Sequence, residues 1–90
     1  MTDLRKLARG QPCQVRLPGI CNGDPATTVL AHVRMVGISG MGLKSADLLG
    51  SHACSACHTA CDTDRSHEVD FLRGVIRTQA KLIKQGVVRT

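Results

Sequence analysis

Hydrophobic and polar positions follow two different periods along the chain, and they divide it into a β-rich half and a helical half. Residues 13–17 (CQVRL) alternate in hydrophobicity and predict a short strand. Residues 27–36 (TTVLAHVRMV) are rich in β-branched and apolar side chains and predict an extended segment. Residues 48–53 (LLGSHA) predict a second strand that leads into Cys54.

Beyond Cys57 the pattern becomes helical, first in a short helix and then over residues 66–85. Ser66 is expected to cap the long helix, and Gly86 is expected to end it. Its apolar stripe has three-and-four spacing and comprises Val69, Leu72, Ile76, Ala80 and Ile83. A basic stripe lies beside it and comprises Arg73, Arg77, Lys81 and Lys84. These cations either form a solvated flank whose stems cover the edge of the core, or contact phosphate.

Two stretches carry weaker signals. Residues 1–10 form either one helical turn or a basic N-terminal arm. Residues 37–45 (GISGMGLKS) predict a loop, since they lack the Gly-Lys-Ser/Thr ending of a phosphate-binding loop.

The composition indicates one small domain, residues 1–90, that needs an additional cross-link. Phe71 is the only aromatic residue in the 90-residue chain, so the hydrophobic core is thin. No signal peptide or apolar membrane span is evident, and we expect a cytoplasmic protein in a reducing compartment. Disulfides rarely persist there, and the cysteine count, five, is odd. Metal binding is therefore the favoured role of the thiols.

The cysteine spacing predicts a structural zinc site. Cys54 and Cys57 form a Cys-x-x-Cys pair, and Cys13 and Cys21 flank a turn that supplies the other two ligands. Cys61 is left over, either as a small buried residue or as a replacement for one ligand. The sequence Cys-x-x-Cys-His also matches the motif for covalent haem attachment, which requires an export signal that we do not find. Cys-x-x-Cys alone also occurs in redox sites, which lie near a βαβ pattern that this sequence does not show.

The remaining chemistry lies in the histidines and the positive charge. The formal net charge is +5 and the pI is 9.3, which favours nucleic acid or an anionic surface as a partner. His32 lies in the first extended segment, and His58 directly follows Cys57. A strand histidine facing a Cys-x-x-Cys-His turn and helix is the layout of HNH, or ββα-metal, nucleases.

Three stretches make the resemblance specific: DLRKLARGQPCQVRLPGICNGDP, TTVLAHVRMVG and ACSACH. They resemble the YbcO-like family of phage and prophage nucleases over nearly the whole chain. That family is assigned an HNH-like fold, a zinc site and, from the fold, endonuclease activity. The resemblance implies that His32 is the general base and that His58 holds a divalent cation such as Mg²⁺. Asp62 or His67 would complete the coordination, and Arg34 would grip a phosphate.

The sequence also departs from the HNH pattern at two positions. Ala31 stands where these enzymes usually carry a metal ligand, directly before the general base. No asparagine orients the base, and the candidates for that role are Asp47, Ser51 and His52.

The sequence thus predicts an α+β fold, a small zinc-stabilised, HNH-like ββα-metal domain with a C-terminal helix. The expected function is metal-dependent hydrolysis of phosphodiester bonds in DNA, with Zn²⁺ as a structural cofactor. The alternatives are a non-catalytic, zinc-stabilised nucleic-acid-binding module and a protein-interaction module. No membrane partner is expected, and the sequence leaves the oligomeric state open.

Overall fold

A computed structural model describes residues 3–33 and 47–87, which form a small α+β domain. Its helices are α1 (Leu4–Ala8), α2 (Ser55–Thr63) and α3 (Glu68–Lys84), and its strands are β1 (Val29–His32) and β2 (Gly50–Ala53). Single 3-10 turns occupy Pro25–Thr27, Asp47–Leu49 and Arg65–His67. Strand β1 lies within the extended segment predicted over 27–36, strand β2 lies within the strand predicted over 48–53, and the C-terminal helix is confirmed. Helix α2 begins before Cys57.

The two strands form an antiparallel ladder that pairs Val29 with Ala53 and His32 with Gly50. The outer edge of β2 is covered by side chains and loop backbone instead of a third strand. The backbone N–H of His52 donates to Thr78 Oγ1 at 3.0 Å. The carbonyl of His52 accepts from the backbone N–H of Gln14 at 2.7 Å. Covering this edge satisfies buried backbone groups and protects the sheet from further pairing.

Helix α3 packs on β2 through a face that combines apolar side chains with a glycine and a threonine. This inner face comprises Phe71, Gly74, Val75, Thr78 and Leu82. Gly74 permits the close approach, because a Cβ there would lie 2.5 Å from Ser51 Oγ and 3.0 Å from Val15 Cγ2.

The predicted apolar stripe of α3 is therefore not its core face. Val69, Ile76 and Ile83 are 60%, 66% and 42% exposed, respectively. The prediction was wrong because α3 carries a second apolar row, and Gly74 and Thr78 interrupt it. Gly74 allows close packing, and Thr78 accepts a hydrogen bond from β2. Hydrophobic periodicity cannot recognise either role.

The two ends of α3 differ from each other in how well they were predicted. Ser66 is not a cap; instead Asp64 accepts its N–H at 2.9 Å and starts the 3-10 turn that precedes the helix. At the other end Gly86 has a φ of 76°. The N–H of Gly86 donates to Ile83 and that of Val87 to Leu82, which is a Schellman closure. Gly86 is thus confirmed as the stop.

The N-terminal segment adopts the helical alternative. Asp3 caps α1 by accepting the N–H groups of Arg5 and Lys6, and Ala8 is fully buried. The predicted strand over residues 13–17 is absent, because Arg16 has a φ of 54° and interrupts the extended backbone. Residues 13–15 are all buried, so the chain here crosses the core without alternating. The predicted loop over 37–45 and Arg34 fall outside the described residues.

Prediction for the helix–strand contact. The substitution Gly74→Ala should lower the free energy of unfolding of the zinc-loaded protein by about 1–3 kcal/mol, because the new Cβ clashes with Ser51 and Val15. Urea unfolding measures the change. Adding Ser51→Ala should recover part of the loss, since it removes the nearest atom. Strictly additive losses would show that the contact with Ser51 is not the cause.

Candidate metal centre and functional site

Four cysteines from two distant parts of the chain meet at one point. Cys13 follows α1, Cys21 lies in the next turn, and Cys54 and Cys57 lie at the start of α2. Their four Sγ atoms all lie within 4.8 Å of one another, and Cys13, Cys54 and Cys57 are buried. The structure therefore brings together the four thiols that the sequence selects as metal ligands.

The spacing of these sulfur atoms fits a tetrahedral thiolate site. A tetrahedron with Zn–S bonds of about 2.3 Å separates its corners by about 3.8 Å. The Sγ atoms of Cys21 and Cys54 are 3.8 Å apart. Four sulfur donors in a closed, buried arrangement favour structural zinc over metals that prefer oxygen.

Cys54 is both a candidate ligand and the N-cap of α2. The N–H of Cys57 donates to Cys54 Sγ at 3.4 Å, and the N–H of His58 donates to the Cys54 carbonyl at 2.9 Å. Burial raises the pKa of the Cys54 thiol, but hydrogen bonds from the backbone of Cys57 and Asn22 outweigh it and lower the pKa to about 7. The helix start thus stabilises the thiolate that a metal requires.

Two other thiols of the cluster are less acidic. Burial raises the pKa of both Cys57 and Cys21, and their neighbouring thiols raise it further. A metal ion binds thiolates, so its binding must release the protons held by these two groups.

A hydrogen-bond network joins the two halves of the cluster. Asn22 Nδ2 donates to Thr27 Oγ1 and to Ser55 Oγ, each at 3.2 Å. The N–H of Ser55 donates to Thr27 Oγ1 at 3.3 Å. Thr27 therefore links the turn after Cys21 to the first residue of α2. The sequence analysis did not identify this role of Asn22 and Thr27.

Cys61 lies outside the group of four. It is half-buried and packs against the cluster formed by the other cysteines and Ala53. Burial, followed by the charge of Asp62, raises its pKa to about 11. These surroundings agree with the packing role and not with a fifth thiolate.

Two histidines of the helical half each lie beside a different aspartate. His58 Nε2 lies 3.4 Å from Asp62 Oδ2, one turn along α2. His67 Nε2 lies 3.7 Å from Asp64 Oδ2 instead. Across residues 3–33 and 47–87, the cysteine cluster is the one group of three or more His, Cys, Asp or Glu side chains with metal-binding spacing.

His32 ends β1 opposite Gly50 and is half-buried. Its neighbour Ala31 is 2% exposed and belongs to the core cluster that contains Cys57. The position that carries a metal ligand in HNH enzymes is thus used for packing. Of the residues considered for orienting the base, Ser51 and His52 are buried in β2, and the side chain of Asp47 is outside the described part. Burial and then the nearby Lys81 lower the pKa of His52.

The predicted phosphate-binding cations have differing surroundings. Arg73 is exposed and lies 3.6 Å from Asp70. Arg77 Nη1 donates to the carbonyl of Gln14 at 2.8 Å, so this side chain also holds the segment between Cys13 and Cys21. Lys81 is half-buried. The basic stripe therefore suits both alternatives that the sequence left open. Arg77 and Lys81 lie at the edge of the core, and Arg73 is exposed enough to contact phosphate.

The cysteine cluster and the two-stranded sheet agree with the fold that the sequence resemblance implies. Comparisons with known proteins then show the family. The family model described as "Putative nuclease YbcO" matches residues 2–90. The chain belongs to the YbcO family. It is 51% identical to "Putative nuclease YbcO" of Escherichia coli K12 and to "Putative nuclease ybcO" of Enterobacteria phage 82, over 99% of each chain.

A solved structure has the same fold. It is entitled "Structure of a putative bacteriophage protein from Escherichia coli str. K-12 substr. MG1655". The TM-score is 0.78 at 43% identity, and the match covers 93% of this chain and all of that one. Within the part of the chain that the structure describes, no helix has both the length and the hydrophobicity to cross a bilayer.

Prediction for the metal ligands. The substitution Cys57→Ser should abolish stoichiometric zinc binding and folding, because structural zinc contributes about 10–16 kcal/mol in small domains. Cys61→Ser is the matched control and should bind one zinc per chain. Native mass spectrometry and circular dichroism measure both. Zinc loss in Cys61→Ser together with retention in Cys57→Ser would reassign the ligand set.

Prediction for the hydrogen-bond network. Thr27→Val keeps the side-chain shape but removes the oxygen that links the turn after Cys21 to the start of α2. Zinc affinity should fall roughly 10–100-fold, as is usual when groups that orient metal ligands are lost. Competition with a chromogenic chelator measures the affinity. Thr63→Val is the control, since Thr63 Oγ1 bonds only to carbonyls of its own helix; an equal loss in both variants would refute a specific role for Thr27.

Proposed function

We propose that this protein is an HNH-like endonuclease that hydrolyses phosphodiester bonds in DNA with the help of a divalent cation. Membership of the YbcO family supports a nuclease acting on nucleic acid. The observation that carries the proposal is the pair formed by His58 and Asp62 on α2. This pair begins one residue after a candidate zinc ligand, so the metal centre fixes the helix that presents it.

The His58–Asp62 pair is suited to holding the catalytic cation. His58 and Asp62 side chains are 34% and 37% exposed, which leaves their donor atoms accessible to an ion and to substrate. An imidazole nitrogen and a carboxylate oxygen are common ligands of divalent cations. A cation bound here would neutralise charge on the phosphate and on the leaving oxygen. His67 is assigned a lesser part, because its near neighbour is Asp64.

His32 is the proposed general base. In this role its neutral imidazole accepts a proton from the water that attacks phosphorus, while the bond from phosphorus to the leaving oxygen breaks. β1 packs against α2, which supports a shared site. Arg34 is proposed to bind the phosphate, and Arg73 and Lys81 to attract the DNA backbone. Zinc in the thiolate site needs reduced cysteines, which agrees with the expected cytoplasmic location.

A second candidate is a nucleic-acid-binding module without catalysis. The burial of Ala31 in the core favours it, because a usual metal ligand of HNH enzymes is missing there. In that case the zinc centre and the cations serve binding alone.

Prediction for catalysis. The zinc-loaded protein should nick supercoiled plasmid DNA when Mg²⁺, Mn²⁺ or Ni²⁺ is added. His32→Ala should reduce the rate at least about 100-fold, since a general base typically contributes 10²–10⁴-fold. His58→Ala should reduce it similarly, and higher cation concentrations should partly restore it. His67→Ala serves as the matched histidine control, with an expected change of only a few-fold.

Binding and folding controls separate the two candidates. Fluorescence anisotropy should show that His32→Ala still binds DNA and that its affinity falls as salt is raised. Zinc content and circular dichroism should match the wild type. Equal nicking by wild type and His32→Ala would refute the assigned base. Salt-sensitive binding with no nicking under any cation would favour the binding module.

A further inference from the structure

Helix α3 binds β2 and the turn before it through two consecutive polar side chains. Thr78 Oγ1 accepts the backbone N–H of His52 at 3.0 Å. Gln79 Nε2 donates to the backbone carbonyl of Leu48 at 2.6 Å. Leu48 lies in the 3-10 turn Asp47–Leu49, which leads directly into β2. Thr78 therefore holds the strand, whereas Gln79 holds the turn.

The turn that Gln79 holds is also bonded to the end of β1. The backbone carbonyl of Leu49 accepts the N–H of Val33 at 2.8 Å. Val33 directly follows His32, the last residue of β1. His32 itself pairs with Gly50, the first residue after the turn. A short path of hydrogen bonds therefore runs from a side chain of α3 to the backbone beside His32.

Gly50 leaves His32 without a cross-strand side chain. Side chains that lie opposite each other on paired strands normally pack together and stabilise each other. A side chain at Gly50 is disfavoured, because its Cβ would lie 2.8 Å from Leu30 Cδ1 and 3.1 Å from the carbonyl oxygen of Ala31. At this position β2 therefore restrains His32 through backbone contacts, and the placement of the turn before Gly50 matters more.

We propose that Gln79 is a positioning residue, which holds the Asp47–Leu49 turn and thereby fixes the end of β1 that carries His32. This inference rests on the proposed function of His32 as general base. A base accepts a proton efficiently only within hydrogen-bond reach of the attacking water, so a small displacement of the strand end slows the reaction. Gln79 acts through the turn and Val33, and it does not touch the substrate.

Prediction for the Gln79 contact. Gln79→Met keeps the length and the charge of the side chain but removes the donor to Leu48. The kcat for plasmid nicking should fall at least about fivefold, since small misplacements of reacting groups can cost up to about 100-fold. KM should change little, because no cation is lost. Gln79→Lys should retain most of the wild-type kcat, since its ammonium group can donate to the same carbonyl.

Gln85→Met is the matched control for the nicking assay. Gln85 is the exposed C-cap residue of the same helix, roughly 9 Å further along its axis than Gln79. This variant should have the kcat of the wild type. Zinc content and circular dichroism should be unchanged in all three variants.

Amide hydrogen exchange tests the contact without DNA. In the zinc-loaded Gln79→Met protein, the N–H of Val33 should exchange roughly threefold faster or more, as expected when a hydrogen bond that supports its acceptor is lost. The N–H of His52, which donates to Thr78, is the internal reference and should keep its wild-type rate. Equal acceleration at both sites would indicate a general loss of stability and would refute a local role for Gln79.

The outcomes separate the positioning role from the nuclease activity. Unchanged exchange of Val33 in Gln79→Met would exclude the positioning role, whatever the DNA assay gives. Faster exchange of Val33 with an unchanged kcat, or an equal loss of kcat in Gln85→Met, would refute the link from Gln79 to His32 and leave the nuclease proposal standing. A wild type that nicks no DNA would overturn the proposed function, and with it the catalytic part of this inference.

Discussion

The gathering of four cysteine sulfurs is the constraint on which the rest of this domain depends. Cys21 and Cys54 are 33 positions apart in sequence, yet their sulfur atoms lie 3.8 Å from each other. A chain with one phenylalanine as its only aromatic residue has little hydrophobic energy with which to hold such distant segments together. A metal held by the four thiolates would supply it, since in small domains binding energy to the metal is also folding energy.

Backbone contacts connect the four-cysteine cluster to the sheet and to the helices. Cys54 directly follows β2 and is the N-cap of α2. The position of this one residue therefore fixes where the strand ends and where the helix begins. Arg16 has a left-handed conformation in the segment that connects Cys13 with Cys21. Gln14, next to Cys13, seals the edge of β2 and accepts a hydrogen bond from Arg77 of α3. Both ligand pairs are thereby tied to the sheet and to the long helix.

The sequence predicts well the features that depend on one residue's own chemistry. The Cys-x-x-Cys spacing correctly selects Cys54 and Cys57 as two of the four thiols that the fold brings together. Gly86 marks the end of α3, because a left-handed residue there favours glycine. Strand β1 follows from the β-branched and apolar content of residues 27–36.

Features that depend on distant neighbours were predicted poorly. The buried face of α3 was misassigned because Gly74 and Thr78 contribute fit and a hydrogen bond to β2, neither of which a hydrophobic pattern records. The strand over residues 13–17 was wrong because neighbouring residues there are buried together by the core. The joint role of His32 and His58 stays a prediction.

The split of the ligands between the two parts of the chain has a consequence for how the protein is made. During translation Cys13 and Cys21 leave the ribosome long before Cys54 and Cys57, which are separated from them by both strands. The first thiol pair must therefore stay reduced and without its partners until Cys54 and Cys57 have emerged from the ribosome. Helix α3, which covers β2, is synthesised later still. Folding of this domain is thus expected to begin only after α3 has been synthesised, and the supply of metal and the redox state of the thiols at that moment would determine how much of the domain becomes native.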